Sequence, residues 1–532
     1  MDLVFAKGKK RIIVFMLSLA ALVLVLNKTR VIAAIDSLFG IEYFLGGIRL
    51  VDQDRMDNLL LGKTEISGDD PDLISQIKYE DYDIPYDMAS GTFYISQPME
   101  ADNWMGRVYS DFGIDLYMAR DDSLYDKTGA IADGKTYRLY AVKGDKYASY
   151  NLVLTGMPLV TMDLNRDEPV DWNGSEAWNG NIAFASWQEG IYSYETTGVK
   201  AKYRGATTIN FEKKGYRIEL EDKMSVLGME YEDDWAINAI YDDPGLVHNQ
   251  LSYELWDQIA ATHESGNDYA IDQEYAEIIL DGSYYGVCAI QERYDKNRLG
   301  LDENDVMFKT FSREVPRDIV TMLTWTFSMK YPDAGTIEMT EPMYEWCRSF
   351  WTEVGCRDFD EAMDMVDEIN AIDYTIFNTL TSGYDSARKN IVFVIRNDEN
   401  GNYKIQSIPW DQNITWGLNS SLDGTTNYVT QTEGAVDYPL QTDFGMALYQ
   451  MDEARAQELF SSRWTRLRDD GIITVENIES ILDTNLDYLH DSGAYDRNYK
   501  RWPNGADQWS DQYIYDFVEQ RIPVIDEMWY EK

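Results

Sequence analysis

A chain of 532 residues, 44% hydrophobic and 13% aromatic, is long enough for two to four domains and apolar enough to bury large cores, which excludes global disorder. Lysine and arginine total 47 against 93 aspartates and glutamates, giving a formal charge of −46 and a pI near 4.3. Such a surface repels phosphate backbones, which argues against nucleic acid as a partner; a nucleotide would need a local cationic pocket and a divalent metal.

The N-terminus reads as an export signal. Lys7, Lys9, Lys10 and Arg11 precede fifteen uncharged residues, 12–26, in which only Ser18 is polar. Fifteen residues are short for a membrane span. No clean cleavage motif follows beyond Val31-Ile32-Ala33-Ala34, so residues 1–34 are either a cleaved signal or a signal anchor. The protein is then exported, secreted or at the cell surface, with membrane contact only through residues 12–26. Residues 35–85, acidic between Gly62 and Asp83, read as a linker. Short alternating runs between 86 and 156 predict a small antiparallel β module, a spacer or a carbohydrate-facing sandwich.

A new domain begins at Met157, with strands over 181–187, 190–194 and 199–203. Arg204-Gly205-Ala206-Thr207-Thr208 is a Gly-and-hydroxyl turn, and Lys213, Lys214 and Arg217 follow on what reads as a strand. Such an element covers phosphates with backbone N–H groups and a cation, although a basic strand balancing an acidic surface explains it equally well. Next come a strand ending at Asn238, an amphipathic helix over 246–260, a hairpin over 275–290 ending at Gln291-Glu292, and a strand that includes Lys309. Residues 340–381 and 444–529 read as largely helical scaffold. Cys347 and Cys356, on one continuous helix, would stand roughly 13 Å apart, too far to bridge. Those two and Cys288 read as buried free thiols. His248, His263 and His490 are too scattered for a metal site or a catalytic triad.

Between the helical stretches lies the part with most chemistry. Asp385 is followed five residues on by Asn390, then by a run IVFVIR, the turn cluster NDENGN, an alternating run YKIQSI, and Pro409-Trp410-Asp411-Gln412-Asn413. A hairpin here brings Asp385, Asn390 and Asp411 to one rim. In a protein-kinase centre an Asp takes the acceptor proton, and an Asn and a later Asp hold Mg²⁺. By itself Asp-x4-Asn is weak, because an acidic chain offers many such pairs in solvated loops.

Four blocks carry a resemblance: Arg204-Gly205 to Leu220, Asp234-Trp235 to Asn249, Leu280 to Glu292, and Pro409-Trp410-Asp411 to Gly417. In that order they resemble the RG…KK-x-YRI, DW…D…RN, NG-x-Y-x-G…E and PWD-x-(D/N)…G motifs of the CotH family of secreted and spore-coat kinase-like proteins. The resemblance implies an α+β, two-lobed, divergent atypical protein-kinase fold over 157–532. It also implies transfer of phosphate from ATP, with Mg²⁺ or Mn²⁺, to protein serine or threonine hydroxyls. Asp385 is then the catalytic base, and Asn390, Asp411 and Asn413 hold the metal. Arg204, Lys309 and a lysine meet the nucleotide. Lys214 is chosen for that lysine because on a strand it shares a face with Tyr216 and Ile218; Lys213 is its rival on the other face. Glu292 is the carboxylate expected to orient the lysine or otherwise to contact metal and phosphate. Two positions depart from the family pattern: His248 stands where arginine is more usual, and Asn413 replaces a second carboxylate. Those departures keep a second reading open, a catalytically silent surface or assembly module, beside a third in which the β module anchors a glycan-associated protein.

Overall fold

Alternating apolar residues between 159 and 291 close a barrel. The computed structural model describes residues 42–530 apart from 69–75, 100–104, 112, 120–135, 207, 264–270, 313, 315–317, 333–335, 351–357, 398–401, 421–425, 429–442 and 504–508. The barrel strands are β1 (Leu159–Leu164), β2 (Glu176–Gln188), β3 (Ile191–Arg204), β4 (Gly215–Ser225), β5 (Tyr231–Asn238), β6 (Gln273–Leu280) and β7 (Ser283–Gln291). They pair in the order β1-β6-β7-β5-β4-β3-β2, and β2 pairs back onto β1. Closure satisfies both edges of the sheet. Val160, Ile182, Phe184, Val199, Ala201, Ile218, Trp235, Ile278 and Ile290 fill the interior. Because successive side chains alternate, Lys202, Arg204, Arg217, Asp234 and Gln291 stand on the outer face.

A four-stranded antiparallel sheet lies beside the barrel. It is built from β8 (Val306–Thr310), β9 (Phe327–Tyr331), β10 (Ile391–Asn397) and β11 (Tyr403–Pro409), in the order β9-β8-β10-β11. Its alternation feeds two cores. Phe308, Phe393, Ile395 and Ile405 bury into the main helical core, whereas Met307, Val392, Val394 and Ile408 pack with Tyr253, Tyr294 and Trp410. Helix α1 (His248–Ala260) contributes Leu251, Leu255, Trp256 and Ile259 to the first core, and α2 (Glu368–Thr381) contributes Ile376, Phe377 and Leu380. Helices from 443 to 529 complete it, with Trp464, Leu482, Val518 and Ile525. The described chain is thus mixed α+β.

The described residues between 42 and 83, inside the stretch 35–85 expected as linker, instead belong to the N-terminal module. Strands Glu42–Phe44 and Ile48–Val51 continue its main sheet, and Leu45, Ile48, Leu50, Ile77 and Tyr79 lie in its core. Nor is the module purely antiparallel: Ile48–Val51 runs parallel to Asp115–Ala119, and Thr92–Ser96 runs parallel to Lys146–Thr155. A period of two reports burial of one face and carries no information on strand direction, which the connections decide. The tip of the β2–β3 hairpin reaches this module, where Trp187 and Tyr192 pack on its core and Trp187 Nε1 donates to the Ser96 carbonyl at 2.9 Å. Cys288 and Cys347 are buried free thiols, while Cys356 lies outside the described residues. The export segment also lies outside them; among the described residues no helix is long and apolar enough to cross a membrane.

One buried ion pair ties three parts of the chain together. Arg497, on α3 (Ala494–Arg501), grips both oxygens of Glu277 at 2.8 Å, and its Nη2 donates to Thr155 Oγ1 at 3.2 Å, where module and barrel join. The Tyr284 hydroxyl donates to the same carboxylate at 2.6 Å. Burial pushes the Glu277 carboxyl up, but Arg497 and these hydroxyls outweigh it and hold the group below its ordinary range. Arg497→Met leaves a buried, unpaired carboxylate, and we expect it to cost about 3–5 kcal/mol. Urea unfolding checks this, and an unchanged midpoint would refute it.

Candidate active site

The site is built where α2 ends. Ser382 takes a left-handed conformation (φ 52°) to stop the helix, and a tight turn, Tyr384–Ser386, then presents Asp385. Asn390 enters β10, and the register of the following hairpin sets Ile391 opposite Pro409. The Trp410 N–H therefore donates to the Asn390 carbonyl at 3.1 Å. Asn390 Nδ2 donates to Asp385 Oδ2 at 2.8 Å and approaches the Asp411 carbonyl at 3.5 Å. Lys389 adds an ion pair to Asp385 at 3.4 Å. Both Asn390 (φ 57°) and Asp411 (φ 59°) are left-handed, a strained conformation that Asn and Asp tolerate better than other side chains. The hairpin thus brings Asp385, Asn390 and Asp411 together.

Helix α1 holds the next stretch from the other side. The Tyr253 hydroxyl accepts from Asp411 N at 3.0 Å, Asn249 Oδ1 accepts from Gln412 N at 2.7 Å, and Ser252 Oγ accepts from Trp416 Nε1 at 2.9 Å. Residues 249, 252 and 253 share one face by the i, i+3, i+4 rule. Asn413 Nδ2 donates to Asp242 Oδ2 at 2.8 Å. Burial and the Asp411 charge push the Asp242 carboxyl up to about 7. Asp242 and Asp411 thus repel one another in a desolvated place, which a bound divalent cation would relieve. Carboxylates and the amide oxygens of Asn390 and Asn413 are hard donors of the kind Mg²⁺ or Mn²⁺ takes, so these are the side chains that could hold such an ion. Among the described residues no group of three His, Cys, Asp or Glu side chains could hold a metal ion.

Cations face these carboxylates. Arg204 ends β3 on the outer face, with Nη1 buried and unpartnered and its guanidinium 5.8 Å from the Trp410 ring. Lys309 Nζ stands 3.9 Å from the same ring. Burial lowers the pKa of both, Arg204 further depresses Lys309, and Asp411 opposes the shift in each. Nearby, Asp234 accepts from Arg293 at 2.6 Å and from Arg217 at 2.8 Å, holding two guanidiniums on one carboxylate. In a chain of charge −46 this is a local reversal of sign.

Three expected residues stand elsewhere. Residues 211–214 form the loop before β4, so strand alternation reaches neither lysine. Lys213 is 1% exposed and donates to the Val287 carbonyl and, at 3.0 Å, to Asn498 Oδ1. Lys214 caps its own turn, donating to the carbonyls of Ile209 at 2.8 Å and Phe211 at 2.6 Å. Glu292 accepts from Glu230 N at 3.1 Å and pairs with Arg298 at 3.4 Å rather than with either lysine. His248 is fully buried against Asp243, Nδ1 to Oδ1 at 2.7 Å. Sequence reasoning missed Asp242, Asp234, Arg293 and Tyr253. The first two fall within the DW…D…RN block, and Tyr253 lies one helical turn after Asn249; those were the available signals.

A family model described as CotH kinase protein matches residues 201–525, more than half of the chain. The inner spore coat protein H of Bacillus subtilis (strain 168) is 25% identical over 226 residues, which cover 40% of this chain and 58% of that relative. The chain therefore spans little more than half the length of that curated relative.

The Asp242 environment has a measurable sign. Its carboxyl is raised in the fold from 3.8 to about 7, so the folded state binds the proton more tightly than the unfolded chain does. Stability from this group is full below the lower value and is lost as pH rises to the upper one. With divalent metal chelated, Asp242→Asn should raise the melting temperature at about pH 8 and leave it nearly unchanged at about pH 4. An equal effect at both would refute the assignment.

Proposed function

The chain belongs to the CotH family, and on that premise we propose that it is an extracytoplasmic, metal-dependent kinase that moves the terminal phosphoryl group of ATP to serine or threonine hydroxyls of a protein. The observation that carries the reading is the Asn390 amide bonded to Asp385 beside Asp411, with Arg204 and Lys309 alongside. In it, Asp385 accepts the proton of the attacking hydroxyl, and its ion pair with Lys389 orients that carboxylate. Asn390, Asp411, Asn413 and Asp242 hold Mg²⁺ or Mn²⁺, which when bound neutralises phosphate charge. Arg204 and Lys309 meet the remaining phosphate oxygens from a desolvated position, where their charge acts strongly. Asp234 keeps Arg293 beside them, taking the orienting part first expected of Glu292. In this reading the barrel and the helical core are the two lobes and the residues above line the cleft between them. The basic, apolar N-terminus and a relative named for the spore coat support a location outside the cytoplasm, at a cell or spore surface.

A second reading, a catalytically silent surface or assembly module, is favoured by Asn413, which supplies no charge to the metal and is engaged with Asp242. Incubating the purified protein with labelled ATP and Mg²⁺ or Mn²⁺ separates the two. On the kinase reading the wild type takes up label or labels an acceptor, and Asp385→Asn loses about 10²–10⁴-fold in rate while still binding nucleotide. Asp411→Asn weakens metal-dependent nucleotide binding, Lys309→Met weakens it further, and Lys214→Ala leaves it unchanged. No transfer and no metal-dependent binding by the wild type would leave the module reading standing.

A further inference from the structure

Tyr253 is 2% exposed, and its hydroxyl oxygen accepts two hydrogen bonds, from Asp411 N at 3.0 Å and from Gln291 Nε2 at 3.1 Å. A phenol oxygen with both acceptor positions filled still carries one proton to donate. The Asp411 carboxylate and the Arg204 guanidinium both act on that hydroxyl, so it lies close to the two. Reversing the Gln291 amide would make Tyr253 a donor to it, but would leave an NH₂ group buried and bare. The orientation present leaves only Gln291 Oε1 without a partner, and a bare buried carbonyl is the commoner condition. Arg204 Nη1 is likewise buried and unpartnered. Two uncommitted donors, one neutral and one cationic, thus lie beside Asp411. Buried donors without acceptors are costly, and a phosphoryl group offers nothing but acceptors.

We propose that Tyr253 is a catalytic residue whose hydroxyl, together with Arg204 Nη1, donates to a non-bridging oxygen of the phosphoryl group in transfer. The inference rests on the phosphoryl-transfer reading above. The bond from the acceptor oxygen to phosphorus forms, the donor's bridging P–O bond breaks, and the acceptor proton passes to Asp385. Tyr253 keeps its own proton throughout, and its hydrogen bond tightens as charge moves onto the transferring oxygens.

The test uses the full chain with ATP and Mg²⁺. Tyr253→Phe should lower kcat by about 10²-fold, the effect of removing one preorganised donor. Phenylalanine also strips Asp411 N of its acceptor, so a second series is needed. Ring-fluorinated tyrosines at position 253 keep both accepted bonds and grade the acidity of the hydroxyl. Assayed below their own pKa values, they should raise kcat with increasing acidity at constant Mg²⁺ affinity. A kcat independent of ring acidity, or a Tyr253→Phe loss fully matched by lost Mg²⁺ affinity, would reduce Tyr253 to a positioning residue and overturn the proposal. Wild-type protein that neither binds Mg-ATP nor transfers phosphate would remove the functional reading, and this inference with it.

Discussion

The amide of Asn390 is the contact on which the site depends. It donates to Asp385 from the end of the β10–β11 hairpin and borders the Asp411 backbone, joining residues 26 positions apart. Two left-handed residues are needed to hold it there, and the ladder opposite, Ile391 to Pro409, over-determines both. Paired from Ile391–Pro409 to Asn397–Tyr403, the hairpin is a stiff support, and Val392, Val394, Phe393 and Ile395 bury it on both faces. Strain stored at Asn390 and Asp411 is thus offset by burial a few residues away, which is the usual arrangement at a functional site.

Charge is the second organising constraint. The surface is strongly acidic, yet the site sets Arg204, Arg217, Arg293 and Lys309 against Asp234 and Asp411. Desolvation lowers the pKa of Arg204, Arg293 and Lys309, the direction expected for cations held away from bulk water. An anion placed beside these cations would offset that desolvation, while the acidic exterior discourages polyanions. On the proposed reading, the same two fields would favour a small, metal-screened phosphate over nucleic acid.

Helix α1 couples the halves. Its apolar side, Leu251, Leu255 and Ile259, is locked into the helical core, and its polar side, Asn249, Ser252 and Tyr253, carries the backbone of 411–416. A shift of this helix would move the Asp411 amide directly. The Glu277–Arg497 pair does similar work at the far side, fixing the barrel, the N-terminal module and α3 to one another.

Periodicity and local chemistry in the sequence were enough for the hairpin that unites Asp385, Asn390 and Asp411, because strand pairing across a short turn is a local matter. They were enough also for the amphipathic face of α1 and for the family, whose motifs are contiguous blocks. Tertiary structure alone decided the cation partners. Lys213 and Lys214 precede β4, and one donates to a carbonyl of β7 and an amide of α3, the other to its own turn, so no alternation rule could assign them. Arg204 and Lys309 meet over Trp410 only because an outer barrel strand and the second sheet are packed together. The strands between 42 and 83 were invisible for a related reason: short acidic segments become strands when a neighbouring sheet supplies partners. Distance in space between residues far apart in sequence depends on burial summed over the whole core, and no local window of the chain contains that sum.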